Sequence, residues 1–277
     1  MVKNEIEDKS LELSFEEPYR IDAAPDGEPL DYRDLNEKIY EAVNANYKKI
    51  ILNNVCGQRF IGAALQKDVE IIINGIPGND LGIFMDGPKI SVHGNCEDQS
   101  GNTMNNGTII VKGDGGDVIG LSSRGGKIYI KGNVGYRVGI HMKEYKNQFP
   151  IIIVGGTAKD FLGEYMAGGI IIVLGLKFLP DGSIIESDQP ICGNELGTGI
   201  HRGTILLRTE ENLKDKLGVG AKITDNGDIE RTLIVPYLID FCNTFNIPLD
   251  LISYKSFKVI IPISKRPFGG FYCKQLV

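Results

Sequence analysis

The chain has 277 residues, 35 of them glycine, close to twice the ordinary share of about 7 %. So much glycine argues against a helical bundle, because each interior glycine costs a helix about 1 kcal/mol relative to alanine. Apolar residues at 42 % and charged ones at 24 % exclude a disordered chain, and a net charge of −6 without a basic run excludes a nucleic-acid or anionic-membrane binder.

At the N-terminus, MVKNEIEDKSLELSFEE is acidic and lacks an apolar core, so no signal peptide is expected. No run approaches the roughly 20 apolar residues of a membrane span, and a cytoplasmic location is the expectation. IDAAPDGEPL reads as extended and turn-rich, and residues 31–49 as an amphipathic helix capped by Asp31, with Leu35, Ile39, Ala42 and Val43 on one face. Residues 1–49 are thus an N-terminal extension, whose helix is expected to cap the repeats beginning at residue 50.

From residue 50 the chain repeats. Short apolar runs end in glycine: IILNNVCG, VEIIING, PKISVHG, GTIIVKG, GKIYIKG, PIIIVGG and GIIIVLG, with a degenerate last copy GTILLR at 203–208. The closing glycines are Gly57, Gly75, Gly94, Gly113, Gly132, Gly156 and Gly175, mostly 19 residues apart. A second glycine comes after it in most copies, at Gly62, Gly82, Gly120, Gly139, Gly163 and Gly199. The runs alternate apolar and variable positions, as half-buried strands do. A unit with one strand and two glycine corners cannot bury its own inner face, whereas stacked units can. Residues 50–208 are therefore expected to form an all-β, parallel β-helix of about seven coils.

Two insertions break the rhythm, at 141–149 and at 176–195. After 208, EENLKDKLG (210–218) and residues 228–246 read as helices. The second carries Leu238, Phe241, Cys242 and Phe245 as its apolar stripe, with Pro236 near its start or at a kink. Residues 257–272 read as extended, and the whole tail, 209–277, is expected to pack on the coils.

Candidate chemistry is sparse. The five cysteines are dispersed, which suits buried thiols in a reducing compartment. His93, His141 and His201 lie in different coils without metal-ligand spacing. His141 and Glu144 are the best acid–base pair on offer, against a plainer reading as loop or interface residues. GDGGDVIG and GGTAKDFLG invite a phosphate-loop reading, but strands rather than helices come after them, so corner glycines explain them better. A calcium nonapeptide in GDGGDVIG would need a nine-residue repeat, which is absent. Asp117, Tyr136, Arg137, Asp160 and Glu195 flank corner glycines and could form a polar ladder or simply cap the corners. No residue reads as catalytic, cofactor-binding or metal-ligating.

GNTMNNG (101–107), RGGKIYIKGNVGYRVGIHMKEY (124–145) and GGTAKDFLGEYMAGGIIIVLGL (155–176) resemble the C-terminal GXGXG domain of glutamate synthase large subunits. More loosely, they resemble the subunit of formylmethanofuran dehydrogenase that carries the same pattern. The resemblance covers about residues 50–208. It implies a right-handed parallel β-helix that carries no catalytic residues and scaffolds its neighbours. A complete large subunit begins with a nucleophilic cysteine and carries a flavin barrel and an iron–sulfur cluster. This chain begins Met1-Val2-Lys3, so the resemblance implies a separately encoded subunit. FMN and the iron–sulfur cluster would then reside in partners, an amidotransferase and an FMN barrel. The insertion and its surroundings, Arg137, His141, Lys143, Glu144, Tyr145, Glu164 and Tyr165, are the candidate interface. Two alternatives stay open: a subunit of a formylmethanofuran dehydrogenase or formyltransferase/hydrolase-type complex, and an independent β-helix enzyme acting on polysaccharide; a homo-oligomer is compatible with each reading.

Overall fold

The computed structural model describes residues 17–224, 228–253 and 256–264. In chain order the elements are β1 (Tyr19–Asp22), α1 (Tyr32–Asn44), β2 (Lys49–Cys56), β3 (Glu70–Ile76), β4 (Asp86–Val92), β5 (Asn106–Val111), β6 (Lys127–Ile130), β7 (Ile151–Val154), β8 (Ala167–Val173), β9 (Leu176–Phe178), β10 (Ile184–Glu186), β11 (Arg202–Arg208), β12 (Ala221–Thr224), α2 (Asp228–Phe245), α3 (Leu249–Ser253) and β13 (Phe257–Pro262). β1 to β8 and then β11 pair in succession, each parallel to the next. This is the expected all-β parallel solenoid, one rung per repeat.

The register explains why the repeat holds. Ile50, Ile71, Ile90, Ile109, Ile128, Ile152, Ile171 and Ile205 stand opposite one another rung by rung. Two residues on, Leu52, Ile73, Val92, Val111, Ile130, Val154, Val173 and Leu207 form a second row, and both rows are buried. β-branched side chains suit such a stack, because one residue type repeats against its own kind on a pleated surface.

The strand face between these rows departs from simple alternation. Ile110, Tyr129, Ile153, Ile172 and Leu206 point away from the solenoid interior yet are also buried, in a second core with Leu238, Phe241, Cys242 and Phe245 of α2. The continuous apolar runs in β7 and β8 are strands buried on both faces. α2 lies on that outer face, and Pro236 sits inside it.

Glycine serves two purposes in two rows. The backbone N–H groups of Gly113, Gly132, Gly156 and Gly175 each donate to the carbonyl of the glycine one coil earlier, at 2.9–3.0 Å. At Gly132 a Cβ would lie 2.1 Å from Asp114 Oδ1 and 3.0 Å from the Gly113 carbonyl, so this row is set by the close approach of coils. Gly75 and Gly94 begin that column. Gly57 lies off it, because a register shift between Leu52 and Val55 puts Val55 opposite Gly75. The second row, of which Gly139 (φ +72°) is representative, needs left-handed backbone, and a Cβ there would sit 2.4 Å from Ile171 Cδ1. Its last member is Gly197 rather than Gly199. Glu195, Gly197 and Gly199 repeat the left-handed pattern of Arg137, Gly139 and His141.

Both ends of the stack are covered. α1 begins at its Asp31 cap, whose side chain accepts from Arg33 N–H, and buries Leu35, Ile39, Ala42 and Val43. It stops five residues before the expected 49, at Asn44, because Asn46 turns left-handed (φ +71°) and leads into β2. Asn36 Nδ2 donates to the Arg59 carbonyl at 2.9 Å, and the Tyr40 hydroxyl donates to the Ala63 carbonyl. The helix thereby satisfies first-coil groups that have no earlier coil to pair with.

At the other end, residues 210–218 are not the expected helix. Apart from a short 3-10 turn at Lys214–Lys216, the segment adds a partial coil. Leu196 N–H donates to the Lys216 carbonyl and Gly218 N–H to the Leu196 carbonyl, each at 2.8 Å. Nine residues seldom sustain a helix alone, and here they satisfy ladder groups of the last corner instead. β13 then pairs antiparallel with β11, and β12 with β13, extending the sheet by two strands beyond the last coil. The extended reading of 257–272 holds for β13; residues from 265 onward lie outside the described residues. The 176–195 insertion forms the antiparallel hairpin β9–β10.

Arg208, at the end of β11, ties these additions together. Its side chain is fully buried and donates to the Leu174 carbonyl (2.7 Å), to Leu251 and Ile252 of α3 (3.0 and 3.2 Å), and to the Glu186 carboxylate of β10 (2.5 and 3.2 Å).

Candidate functional site

Each coil turns its second corner with three left-handed residues at alternate positions, such as 137, 139 and 141 or 161, 163 and 165. The central one is glycine throughout, and the outer two form columns along the solenoid. One column runs Phe60, Asp80, Gln99, Val118, Arg137, Phe161 and Glu195; the other runs Ala64, Phe84, Thr103, Ser122, His141 and Tyr165. Left-handed backbone costs a non-glycine residue about 1–2 kcal/mol. A glycine at every alternate position would relieve it.

The two columns bring together four of the seven candidate interface residues. The Arg137 guanidinium pairs with Glu164, whose side chain is only 8 % exposed, and lies 4.5 Å from the Phe161 ring centre. The His141 ring stacks on Tyr165, with centroids 5.4 Å apart and planes 11° from parallel. The other three stand apart from these pairs. Glu144 accepts from Gly169 N–H at 3.4 Å and lies 3.9 Å from Arg202, so its carboxylate serves the β8–β11 region and not His141. The acid–base pairing of His141 with Glu144 is therefore not formed. Lys143 bridges Ala167 through its backbone, and Tyr145 closes the inserted loop by exchanging backbone hydrogen bonds with Gln148.

The surface around them is aromatic and largely open. Tyr136, Tyr145, Phe149 and Tyr165 are 47, 54, 39 and 40 % exposed, and Phe149 meets Tyr237 of α2 edge-on at 6.3 Å. Tyrosine, phenylalanine and arginine are the residues that interface cores enrich. The loop composition hinted at this patch, but Phe161 and Tyr136 were legible only as repeat positions.

Many polar corner residues are occupied by architecture. Asp98 Oδ1 accepts from Asp117 N–H (2.8 Å), Asp117 Oδ1 from Tyr136 N–H (2.9 Å), and Asp160 Oδ1 from Asn194 N–H (2.7 Å). A parallel ladder runs Asn95, Asp114, Asn133 to Thr157. Asp117 and Asp160 are thus corner caps; Tyr136 lends the ladder its N–H, and Glu195 accepts from Thr198. Among the described residues, no group of three or more His, Cys, Asp or Glu could hold a metal ion, and no helix is long and apolar enough to cross a membrane.

A parallel solenoid with a glycine-lined corner column and a second corner of alternating left-handed residues defines a distinct structural class. The chain belongs to the GXGXG motif family, whose model matches residues 37–249. It is also 54 % identical, over 91 % of its length and 97 % of the relative's, to an uncharacterized protein of Methanocaldococcus jannaschii.

Proposed function

We propose that the chain is a non-catalytic scaffold subunit of a glutamate-synthase-like complex for glutamine amidotransfer. Its Arg137–Tyr165 face docks an amidotransferase subunit and a flavin-barrel subunit, which carry FMN and the iron–sulfur cluster. The observation that carries this reading is membership of the GXGXG family across 37–249, together with the likeness of its motifs to those of glutamate synthase large subunits. The commitment of Asp98, Asp117 and Asp160 to backbone capping, and the open aromatic patch, support a scaffold with a docking face. Affinity purification of the tagged chain from its source cell tests the proposal. Recovery of amidotransferase and flavin-barrel subunits is expected. Recovery of homo-oligomer alone, or of molybdopterin-enzyme subunits, would overturn it.

A further inference from the structure

Away from that face, the hairpin β9–β10 folds back over the strand edge and bounds a cavity of about 630 Å³, within the 300–1,000 Å³ range of small-ligand sites. Its floor is the glycine column at Gly113–Asp114 and Gly132–Asn133, with Lys112 and Lys131 beside it. Its roof is Leu176, Phe178, Leu179 and Pro180.

The repeat puts His93, Lys112 and Lys131 in one column, at equivalent positions 19 residues apart on successive rungs. The next rung has Gly155 there, and Phe178 occupies the space its side chain would take, with a Cβ on Gly155 falling 3.0 Å from Phe178 Cε2. Lys131 Nζ lies 4.8 Å from the centre of that ring. The insertion that interrupts the repeat thus supplies an aromatic wall to a lysine column.

The charges in the cavity are not balanced in place. Lys177 pairs with Asp188 at 3.5 Å, and Asp114 Oδ1 accepts from Asn133 N–H at 2.6 Å. Among the described residues, Lys112 and Lys131 pair with no carboxylate, in a chain whose net charge is −6. The N–H groups of Gly113 and Gly132 are taken by the coil ladder, so an anion here would be held by ammonium groups. Lysine binds phosphate in this way, as a point charge.

We propose that this cavity binds a phosphorylated small molecule with a flat or apolar body, its phosphates on Lys112 and Lys131 and its body against the roof of Phe178, Leu179 and Pro180. Such binding is independent of the scaffold role, because the cavity lies within one chain and uses none of the docking residues.

Calorimetric titration of the full chain with ADP, pyrophosphate and adenosine tests it. Saturable binding of ADP at one site is expected, with pyrophosphate weaker and adenosine weaker still. Lys112→Gln with Lys131→Gln should weaken ADP at least tenfold. Phe178→Ala should weaken ADP several-fold while leaving pyrophosphate unchanged. Unchanged melting temperatures of the lysine variants, whose side chains reach solvent, would show that they fold. Absence of saturable binding to any of the three compounds would overturn the proposal, as would binding that both sets of variants leave intact. Loss of partner subunits from the lysine variant, without small-anion binding by the parent, would identify an acidic protein surface as the occupant and equally overturn it.

Discussion

Replacing Gly139 by alanine separates the two physical demands on the corner glycines. At φ +72° the new residue meets the left-handed penalty of about 1–2 kcal/mol. Its Cβ would also stand 2.4 Å from Ile171 Cδ1 and 3.3 Å from Cγ1, and forcing a methyl into a packed core costs a further 1–3 kcal/mol or so. The expected loss is about 2–5 kcal/mol. Gly182, in the hairpin turn, has a similar φ of +87° but nothing within 4 Å of a Cβ. Gly182→Ala should therefore show only the backbone part. Ile171→Val removes the clashing carbon, so Gly139→Ala should cost less in that background than in the parent. Urea unfolding of the four variants reads all these differences. Equal losses for Gly139→Ala and Gly182→Ala, or no coupling with Ile171→Val, would refute the packing argument.

Other expectations rest on single side chains. Arg208→Met removes a donor from three carbonyls and from the Glu186 carboxylate. The Glu186 side chain is 36 % exposed and can hydrate, so the cost is mainly that of buried carbonyls left unpaired, about 1–3 kcal/mol; denaturant midpoints and hydrogen exchange in β9–β10 and α3 should both show the loss. Ser123 Oγ is buried without a hydrogen-bond partner, so Ser123→Ala should be neutral or stabilising by about 1 kcal/mol in the same unfolding assay. Burial pushes the Cys96, Cys192 and Cys242 thiols up to about 11, 12 and 11; iodoacetamide at pH 8 should modify exposed Cys56 in the native protein and reach the other three only after unfolding. Burial acts to raise the Asp240 carboxyl, but hydrogen bonds from Lys127 (2.7 Å) and Tyr129 (2.9 Å) outweigh it and hold the pKa below its ordinary value. Its contribution is complete above the unfolded value of about 3.9 and fades as pH falls through the folded one. The stability difference between parent and Asp240→Asn should accordingly shrink below about pH 4.

Legible in the sequence was whatever the repeat writes into it. The inward rows of Ile and Val, the glycine spacing and the amphipathic face of α1 each need one residue type at one period, and each stands out. Residues 210–218 carry a charged, leucine-spaced pattern that suits a helix. Their conformation is decided instead by ladder groups at 196–199, about a coil earlier in the chain and adjacent in space. Gly218 and Gly220, an L-G-V-G echo of the preceding corner, were the signal for it. Arg208 looked like the end of a degenerate strand, since its partners come from segments 22 to 44 residues away. The aromatic face was half legible. His141 and Tyr165 lie within the long glycine-rich motifs, but their stacking depends on rung register, which the 24-residue spacing hides.

The scaffold account rests on the Arg137–Tyr165 face meeting other subunits. Lysine-reactive cross-linking of the chain in extract of its source cell, with the products read by mass spectrometry, tests this most directly, because Lys143 and Lys146 flank that face. The account predicts links from these lysines to an amidotransferase or flavin-barrel subunit. Links from them only to other copies of the chain would contradict it.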